Sequence, residues 1–307
     1  MKKHLLRLAF INGLLFLSIC IFAQEYSDFY FTRVNGENGL SESNVKAILQ
    51  DSYGFMWFGT KNGLNRYDGT SILQFDCDDL EEGTGNHNIG ALFEDKERNL
   101  WVGTDRGVYI YNPAVDVFKR FKIASSEGIT LDNWVAEILS DSLDNIWVLI
   151  PDQGLFRYKD GKVHHYSLID KDNLKNNNPE CICINEQGEV WVGTSGIGLF
   201  KYNYRDDNFE QYLTDRMGRS LIDKTIISIC FQKENAILGI HEGDLLKYNT
   251  RTDELSEVSF LGEKKTFLRD VMCFGDEIWV GSLHGIFIIN EKENNVIHLK
   301  VARSANR

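Results

Sequence analysis

The chain has 307 residues, of which 45 are acidic and 33 are Lys or Arg, so its formal net charge at pH 7 is -12. An acidic excess of this size repels polyanions and therefore argues against nucleic acid and anionic lipid surfaces as partners. Only three prolines are present, which is typical of a chain built from sheets and hairpins rather than from extended linkers.

Residues 1–24 have the pattern of a secretory signal peptide. Three basic residues precede an apolar run that is shorter than the roughly 20 residues a membrane-spanning helix needs. Ile21 and Ala23 then fit the small-residue pattern that precedes a cleavage site. We expect cleavage near Ala23 or Gln24 and a mature protein, residues 25–307, that is periplasmic or secreted, with an uncleaved anchor as the alternative. No second apolar segment follows, so the mature chain would reach a membrane only through an anchor further downstream.

The cysteines do not have the spacing of a disulfide framework. Five follow the signal: Cys77, Cys181, Cys183, Cys230 and Cys273. An odd number without framework spacing argues against a disulfide scaffold. Cys181 and Cys183 alternate with isoleucines on one face of a predicted strand, and Cys230 and Cys273 fall in the corresponding strand of later repeats. We therefore predict that they are small buried hydrophobic residues. The absence of CxxC-type spacing predicts no zinc site.

Residues 54–69, GFMWFGTKNGLNRYDG, recur along the chain. Further copies begin at Asn99, Asn145 and Glu189, and two more divergent ones begin at Ala236 and Glu277. The anchor positions are separated by 44, 46, 44, 46 and 42 residues and are Trp57, Trp101, Trp147, Trp191, Ile237 and Trp279. A steady period in the forties indicates a repeat architecture.

Each repeat is predicted to form four short strands. In the first repeat these are residues 44–50, 55–60, 64–67 and 71–75, and Gly63 supplies the positive φ of a tight hairpin. Four antiparallel strands in such a period predict one blade of a β-propeller. The predicted fold class is therefore all-β, with repeats near 44–75, 88–121, 134–166, 178–212, 224–258 and 267–299.

Two features of these repeats lead to further expectations. Trp57 and its equivalents lie mid-strand beside a glycine, which predicts rings packed between blades and glycines, such as Gly59, that allow close backbone approach.

Residues 28–34 form a spare strand before the first repeat, and only eight residues follow Leu299. We therefore expect six blades and a leftover strand, as in a seven-bladed propeller that lacks its last blade.

Residues 39–69, with Asp-x-x-Gly-x-x-Trp-x-Gly-Thr followed by Gly-Leu-x-x-Tyr, resemble the two-component regulator propeller repeat. The resemblance extends over about residues 26–300. It implies the periplasmic sensor domain of a hybrid two-component receptor, which carries histidine kinase and response regulator modules. Many such receptors control polysaccharide use. No kinase or DNA-binding segment is read in the 307 residues, so we expect a sensor propeller separated from its output.

Candidate ligand-binding residues lie in two loop classes that this topology places at one end of the blades. These are the linker entering the first strand and the turn between the second and third strands. Their amides, charges and one aromatic ring suit an oligosaccharide or another small ligand. Trp134 lies outside the repeat motif, so it is predicted as a sugar platform or, alternatively, as a contact with a neighbouring loop. The candidates are Asn44, Lys61, Asn62, Asn88, Asp105, Arg106, Trp134, Asp152, Gln153, Asn178, His241, Glu242, Arg269 and His284.

The favoured function is a non-enzymatic sensor that binds an oligosaccharide. One alternative is a protein-interaction scaffold, including a homodimer or contact with another sensor domain. Another, less favoured, is a polysaccharide-active enzyme. His241, Glu242 and His284 could approach a metal, but two histidines without a demonstrable third ligand predict no metal centre. No nucleophile elbow, phosphate loop or carboxylate pair is found, so neither a cofactor nor a catalytic residue is predicted.

Overall fold

The computed structural model describes residues 33–75, 88–122, 128–168, 178–260 and 266–300. The chain divides into residues 1–35 and residues 36–307, and every strand below belongs to the second unit. The predicted signal peptide, and all but the last two residues of the predicted spare strand 28–34, lie outside the described residues. Within the described residues no helix has the length and apolar character to cross a membrane.

The first three repeats form the strands predicted for them, after a short 3-10 turn at Gly36–Asn38. Blade one contains β1 (Val45–Gln50), β2 (Met56–Thr60), β3 (Gly63–Tyr67) and β4 (Ile72–Phe75). Blade two contains β5 (Ile89–Glu94), β6 (Leu100–Thr104), β7 (Gly107–Asn112) and β8 (Val117–Arg120). Blade three contains β9 (Glu137–Ser140), β10 (Ile146–Ile150), β11 (Gly154–Lys159) and β12 (Lys162–Tyr166).

The last three repeats do the same. Blade four contains β13 (Pro179–Ile184), β14 (Val190–Ile197), β15 (Leu199–Asn203) and β16 (Asn208–Tyr212). Blade five contains β17 (Ile222–Gln232), β18 (Asn235–Ile240), β19 (Leu245–Asn249) and β20 (Glu254–Glu257). Blade six contains β21 (Leu268–Phe274), β22 (Glu277–Ser282), β23 (Gly285–Asn290) and β24 (Asn295–Leu299). The prediction of an all-β propeller with six recognisable repeats is confirmed.

Each blade is an antiparallel meander, and the first strands of successive blades lie against one another at the centre. One departure joins blades four and five, because β14 runs on to Ile197 and pairs there with β17 through Ser195–Thr225 and Ile197–Ile222. The cause is a longer turn after Thr194, which contains two positive-φ glycines, Gly196 and Gly198. The two blades therefore share one continuous sheet.

The aspartate and tryptophan of the repeat motif form one hydrogen-bonded unit. Asp51 Oδ1 accepts the backbone N–H groups of Tyr53 and Phe55, and its Oδ2 accepts Trp57 Nε1–H at 2.7 Å. Blades two and three repeat the indole bond at 2.8 and 2.9 Å, from Trp101 to Asp95 and from Trp147 to Asp141. The fixed spacing of the motif is thus the geometry of an Asx turn that also orients the ring.

Packing between blades follows the prediction made for the tryptophans and glycines. Trp57, Trp101, Trp147 and Trp191 are all buried. A Cβ added to Gly59 would lie 2.6 Å from Ile89 Cγ2 of the next blade, and Gly103 and Gly193 meet a branched side chain of the next blade at the same 2.6 Å. Only glycine allows neighbouring blades to approach this closely. The glycine therefore recurs two residues after the anchor tryptophan because blade-to-blade contact requires it there.

The outer faces of the first and last blades are packed less closely. Ile48 of blade one is 63% exposed, whereas Ile138 at the same position of blade three is 5% exposed. Phe274 of blade six is 70% exposed, and a Cβ on Gly281 would meet nothing but Asp270 backbone atoms, the nearer at 3.7 Å. In the described part of the chain, blades one and six therefore do not pack on each other as consecutive blades do. A missing seventh blade stays a prediction.

The prediction that Cys230 and Cys273 are free buried residues is wrong, because they form a disulfide between β17 and β21. Their Cα atoms are 5.6 Å apart, although 43 residues separate them in sequence. Two residues about one repeat apart occupy nearly the same position on the first strands of neighbouring blades and can therefore meet. The sequence prediction considered only the alternation of residues within one strand and so missed this pair. Cys181 is free and buried, and Cys183 is free and half-buried, in line with the prediction for that pair.

Candidate ligand-binding site

The two loop classes predicted to carry ligand contacts do lie at one end of the blades, which we call the mouth face. Three backbone hydrogen bonds join them: Asp105 N–H to Asn88 O at 3.2 Å, Ser195 N–H to Asn178 O at 3.0 Å, and His241 N–H to Thr225 O at 2.9 Å. The antiparallel order of the strands brings each turn beside the linker of its own blade.

Trp134 contacts the inner strands of the two preceding blades. Lys46 Nζ lies 4.5 Å from the centroid of its ring and also donates to Asn88 Oδ1 at 3.0 Å. The ring edge covers Gly90, where an added Cβ would lie 2.6 Å from two ring carbons. Trp134 thus packs on strand residues of blades one and two, whereas the alternative prediction was contact with a neighbouring loop. The ring is still partly exposed, so its use as a sugar platform stays a prediction.

Asn178 and Asp152 meet across blades three and four, with Asn178 Nδ2 donating to Asp152 Oδ1 at 3.4 Å. Glu180, two residues further on, was not among the predicted residues. Burial raises its pKa, while a hydrogen bond from Ser195 and the charge of His241 lower it and Asp152 raises it further. These five side chains therefore form one polar group at the mouth face.

The two histidines that were considered, and not predicted, as metal ligands make other contacts. The ring of His241 lies 5.2 Å from that of Phe267, and His284 Nδ1 is hydrogen-bonded to Thr266 Oγ1 at 2.6 Å. No three His, Cys, Asp or Glu side chains come together as a possible metal site in the described residues. Gln153 is half-buried, and the remaining candidates are exposed residues of the mouth face: Asn44, Lys61, Asn62, Asp105, Arg106, Glu242 and Arg269.

Two further carboxylates lie on the inner strands, at a position where the other blades have small residues. Glu137 Oε2 accepts the N–H of Ile182 in the next blade at 3.0 Å. Asp270 Oδ1 accepts Ser228 Oγ–H at 2.7 Å. Burial raises the pKa of Glu137 to about 7, with the Ile182 bond opposing this shift and the charge of Asp270 adding to it. The centre of the propeller is thus acidic next to the mouth face.

Glu137→Gln is expected to stabilise the protein at about pH 8 and to have no effect near pH 4. The folded state holds its proton up to about pH 7, whereas the unfolded chain loses it around 4.5. The folded state therefore binds more protons within this window, and stability falls as the pH rises through it. Thermal melting between these pH values measures the difference. Glu186→Gln, an exposed glutamate, is the control, and a Glu137→Gln effect independent of pH would contradict the prediction.

Two cavities open at the other end of the blades, and neither is lined by a ligand-binding candidate from the sequence. The first, of about 240 Å³, lies between blades one and two and is lined by Tyr53, Phe55 and Arg66, among others. The second, of about 530 Å³, lies between blades two and three beside Trp101 and Lys96. Sequence reasoning missed both because it considered only loops at the mouth face.

Comparison with known proteins identifies the same kind of repeat as the sequence motif. Residues 39–62 and 83–106 match the family model described as two-component regulator propeller. The resemblance inferred from the motif is thus confirmed over these two segments. Histidine kinase P4 of Formosa agariphila is 46% identical over 54 residues, which are 18% of this chain and 4% of the kinase.

Solved structures share the fold. The extracellular domain of a Bacteroides protein (B. thetaiotaomicron), described as a hybrid two-component system, is 21% identical with a TM-score of 0.70, over 89% of this chain and 37% of that one. A second such domain from that organism is 22% identical, with a TM-score of 0.67 over 83% and 36%. The β-propeller domain of Cps50 (Swd1) from Myceliophteria thermophila is 12% identical, with a TM-score of 0.61. The chain is a β-propeller and spans little more than a third of the two extracellular domains.

Proposed function

We propose that this chain is the sensor propeller of a two-component signalling receptor and that it has no enzymatic activity of its own. The observation that carries the proposal is the pair of matched repeat segments. The histidine kinase that shares 46% identity over 54 residues supports the same assignment. The residues shared by the repeats are buried between blades, so a sensor of this fold would bind its ligand through exposed residues that differ between repeats.

The mouth face is the proposed ligand surface, and an oligosaccharide is the proposed ligand. Hydroxyl groups need donors and acceptors in a fixed array, which Asp152, Asn178 and Glu180 would supply. A sugar ring also needs a flat apolar face, for which the exposed part of Trp134 is available. The acidic centre disfavours a polyanionic ligand at this face.

The proposed location is outside the cytoplasm, as expected for a sensor of external glycans. The disulfide between Cys230 and Cys273 supports it, because disulfides persist in oxidising compartments and are rare in the cytosol. The two Bacteroides domains that share the fold are described as extracellular, which also supports this location.

A panel of purified oligosaccharides is expected to include one that raises the melting temperature by about 5 °C or more at saturating concentration. The double variant Asp152→Ala/Asn178→Ala should lose this shift, because it removes the polar pair at the mouth face. The matched control is Glu186→Ala/Gln187→Ala, two exposed side chains in the β13–β14 turn at the opposite end of blade four. A shift retained by the first variant would place the glycan elsewhere, and no shift from any glycan would contradict the ligand class.

A further inference from the structure

Arg66, on β3, is half-buried in the cavity between blades one and two. Its guanidinium carbon lies 4.6 Å from the ring centroid of Phe55, 5.5 Å from that of Phe75 and 5.7 Å from that of Trp57. A guanidinium held against aromatic rings keeps its N–H groups at the edge of its plane, where they match a carboxylate. Yet in the described residues Arg66 makes neither an ion pair nor a side-chain hydrogen bond.

The same strand position carries a paired cation in three other blades. Arg157 of blade three donates to Asp207 at 2.8 Å. Lys201 of blade four pairs with Glu189 at 2.6 Å, and Lys247 of blade five pairs with Glu291 at 2.7 Å. At this position the fold repeatedly places a carboxylate beside the cation, and Arg66 has none of its own.

Blade three is the closest internal comparison. There Asp207 belongs to the next blade, lies beside a guanidinium that is stacked on Trp147, and also accepts the hydroxyls of Tyr166 and Tyr202. The residue of blade two equivalent to Asp207 is Asp116, which accepts Tyr111 Oη–H at 2.8 Å and forms no ion pair with Arg66. The space that Asp207 fills in one gap is therefore open in the other.

The carboxylates that line the cavity have other partners. Asp51 accepts Trp57 Nε1–H and two backbone N–H groups. Glu94 accepts Ser52 N–H at 2.7 Å and Ser52 Oγ–H at 2.9 Å. A second guanidinium, that of Arg98, lies 5.0 Å from the ring of Tyr53 at the cavity rim. Two arginines thus face the cavity while both of its carboxylates are held by neutral donors.

The larger cavity between blades two and three lacks this feature. Ile110 takes the place of Arg66 there, opposite Trp101. Lys96 pairs with Asp144 at 2.8 Å, and Lys159 donates to Leu143 O at 2.9 Å. The smaller cavity therefore differs from the larger one in having a half-buried cation without an ion pair in the described part of the chain, because both lysines of the larger cavity have partners.

We propose that the cavity between blades one and two binds a small carboxylate ligand with a flat apolar face. Arg66 would hold the carboxylate through two parallel N–H bonds, with Arg98 adding charge and Tyr53 and Phe55 contacting the flat face. A volume of about 240 Å³ is below the roughly 300–1,000 Å³ of drug-sized sites, so the ligand is small. The site is separate from the mouth face and does not depend on glycan binding there.

Isothermal titration of the whole chain with glucuronate and with benzoate tests the proposal. At least one of them should bind, and which one does identifies a sugar acid or an aromatic acid as the class. The uncharged counterparts, glucuronamide and benzamide, should bind about tenfold more weakly or worse, because they lose the charge-assisted bonds. This comparison needs no mutation. Binding of neither acid, or equal binding of acid and amide, would overturn the proposal.

Variants then assign the site. Arg66→Gln should weaken binding about tenfold or more, and Arg66→Lys should recover only part of it, because an ammonium lacks the planar fork. Arg251→Gln, an exposed arginine of blade five, is the matched control and should bind as wild type does. Asp152→Ala/Asn178→Ala should also bind the acid normally, which separates this site from the mouth face. Unchanged binding by a folded Arg66→Gln would contradict the assignment.

Discussion

Trp147→Ala is expected to lower the free energy of unfolding by about 3–5 kcal/mol. The side chain is 0% exposed, and its ring centroid lies 4.8 Å from that of Tyr202 and 5.6 Å from that of Tyr166. Its Nε1–H bond to Asp141 would also be lost. Neighbouring blades are held apart by their backbones, so the gap cannot close, and the full cost of a cavity should appear in urea denaturation.

Trp279→Ala is the matched control, because this residue has the same place in blade six. It is only partly buried, and its Nε1 donates to Glu277 at 3.0 Å. The substitution should therefore cost clearly less than Trp147→Ala. Equal losses would mean that burial between blades does not set the contribution of these tryptophans.

Removing the Cys230–Cys273 disulfide is expected to destabilise blade six by about 2–4 kcal/mol. The bond ties β21 to β17 and closes a loop over a sequence separation of 43 residues. Blade six has no following blade on its outer face in the described residues, where Met272 and Phe274 are exposed. It is therefore held through one neighbour, and the disulfide supplies a large share of that connection.

Hydrogen exchange of the β21–β24 amides, with and without a reductant, measures this effect. The variant Cys230→Ser/Cys273→Ser should exchange faster in blade six than in blades two and three, whatever the redox conditions. Cys183→Ser removes a free thiol and should leave the reductant effect of wild type unchanged. Uniform exchange across all blades would show that the bond does not act locally.

The candidate site could be predicted only in part. The loop classes of the mouth face were correct, since they depend on strand order alone. Lys46, Glu137 and Glu180 were missed because they lie on inner strands, where only the register decides whether a side chain meets the centre or the next blade. Trp134 was recognised as an outlier, but its contact with Gly90 joins residues of two successive blades.

Arg66 illustrates the limit more sharply. In sequence it is indistinguishable from Arg157, since each stands opposite the anchor tryptophan of its blade. Whether a carboxylate reaches the guanidinium depends on where the following blade places one aspartate, Asp116 or Asp207. Asp116 and Asp207 occupy equivalent positions in their repeats, so the repeat pattern cannot predict which of them pairs with an arginine.

The sequence by itself determined the fold class, the number of recognisable blades and the roles of Trp57, Gly59 and Gly63, because these follow from local turns and a regular period. Tertiary structure alone decided three features that join or separate particular blades: the Cys230–Cys273 bond, the shared sheet of blades four and five, and the cavity beside Arg66. GFMWFGTKNGLNRYDG thus explains how a blade is built. What each gap between blades can bind depends on side chains contributed by two repeats at once, and their meeting is a property of three-dimensional packing.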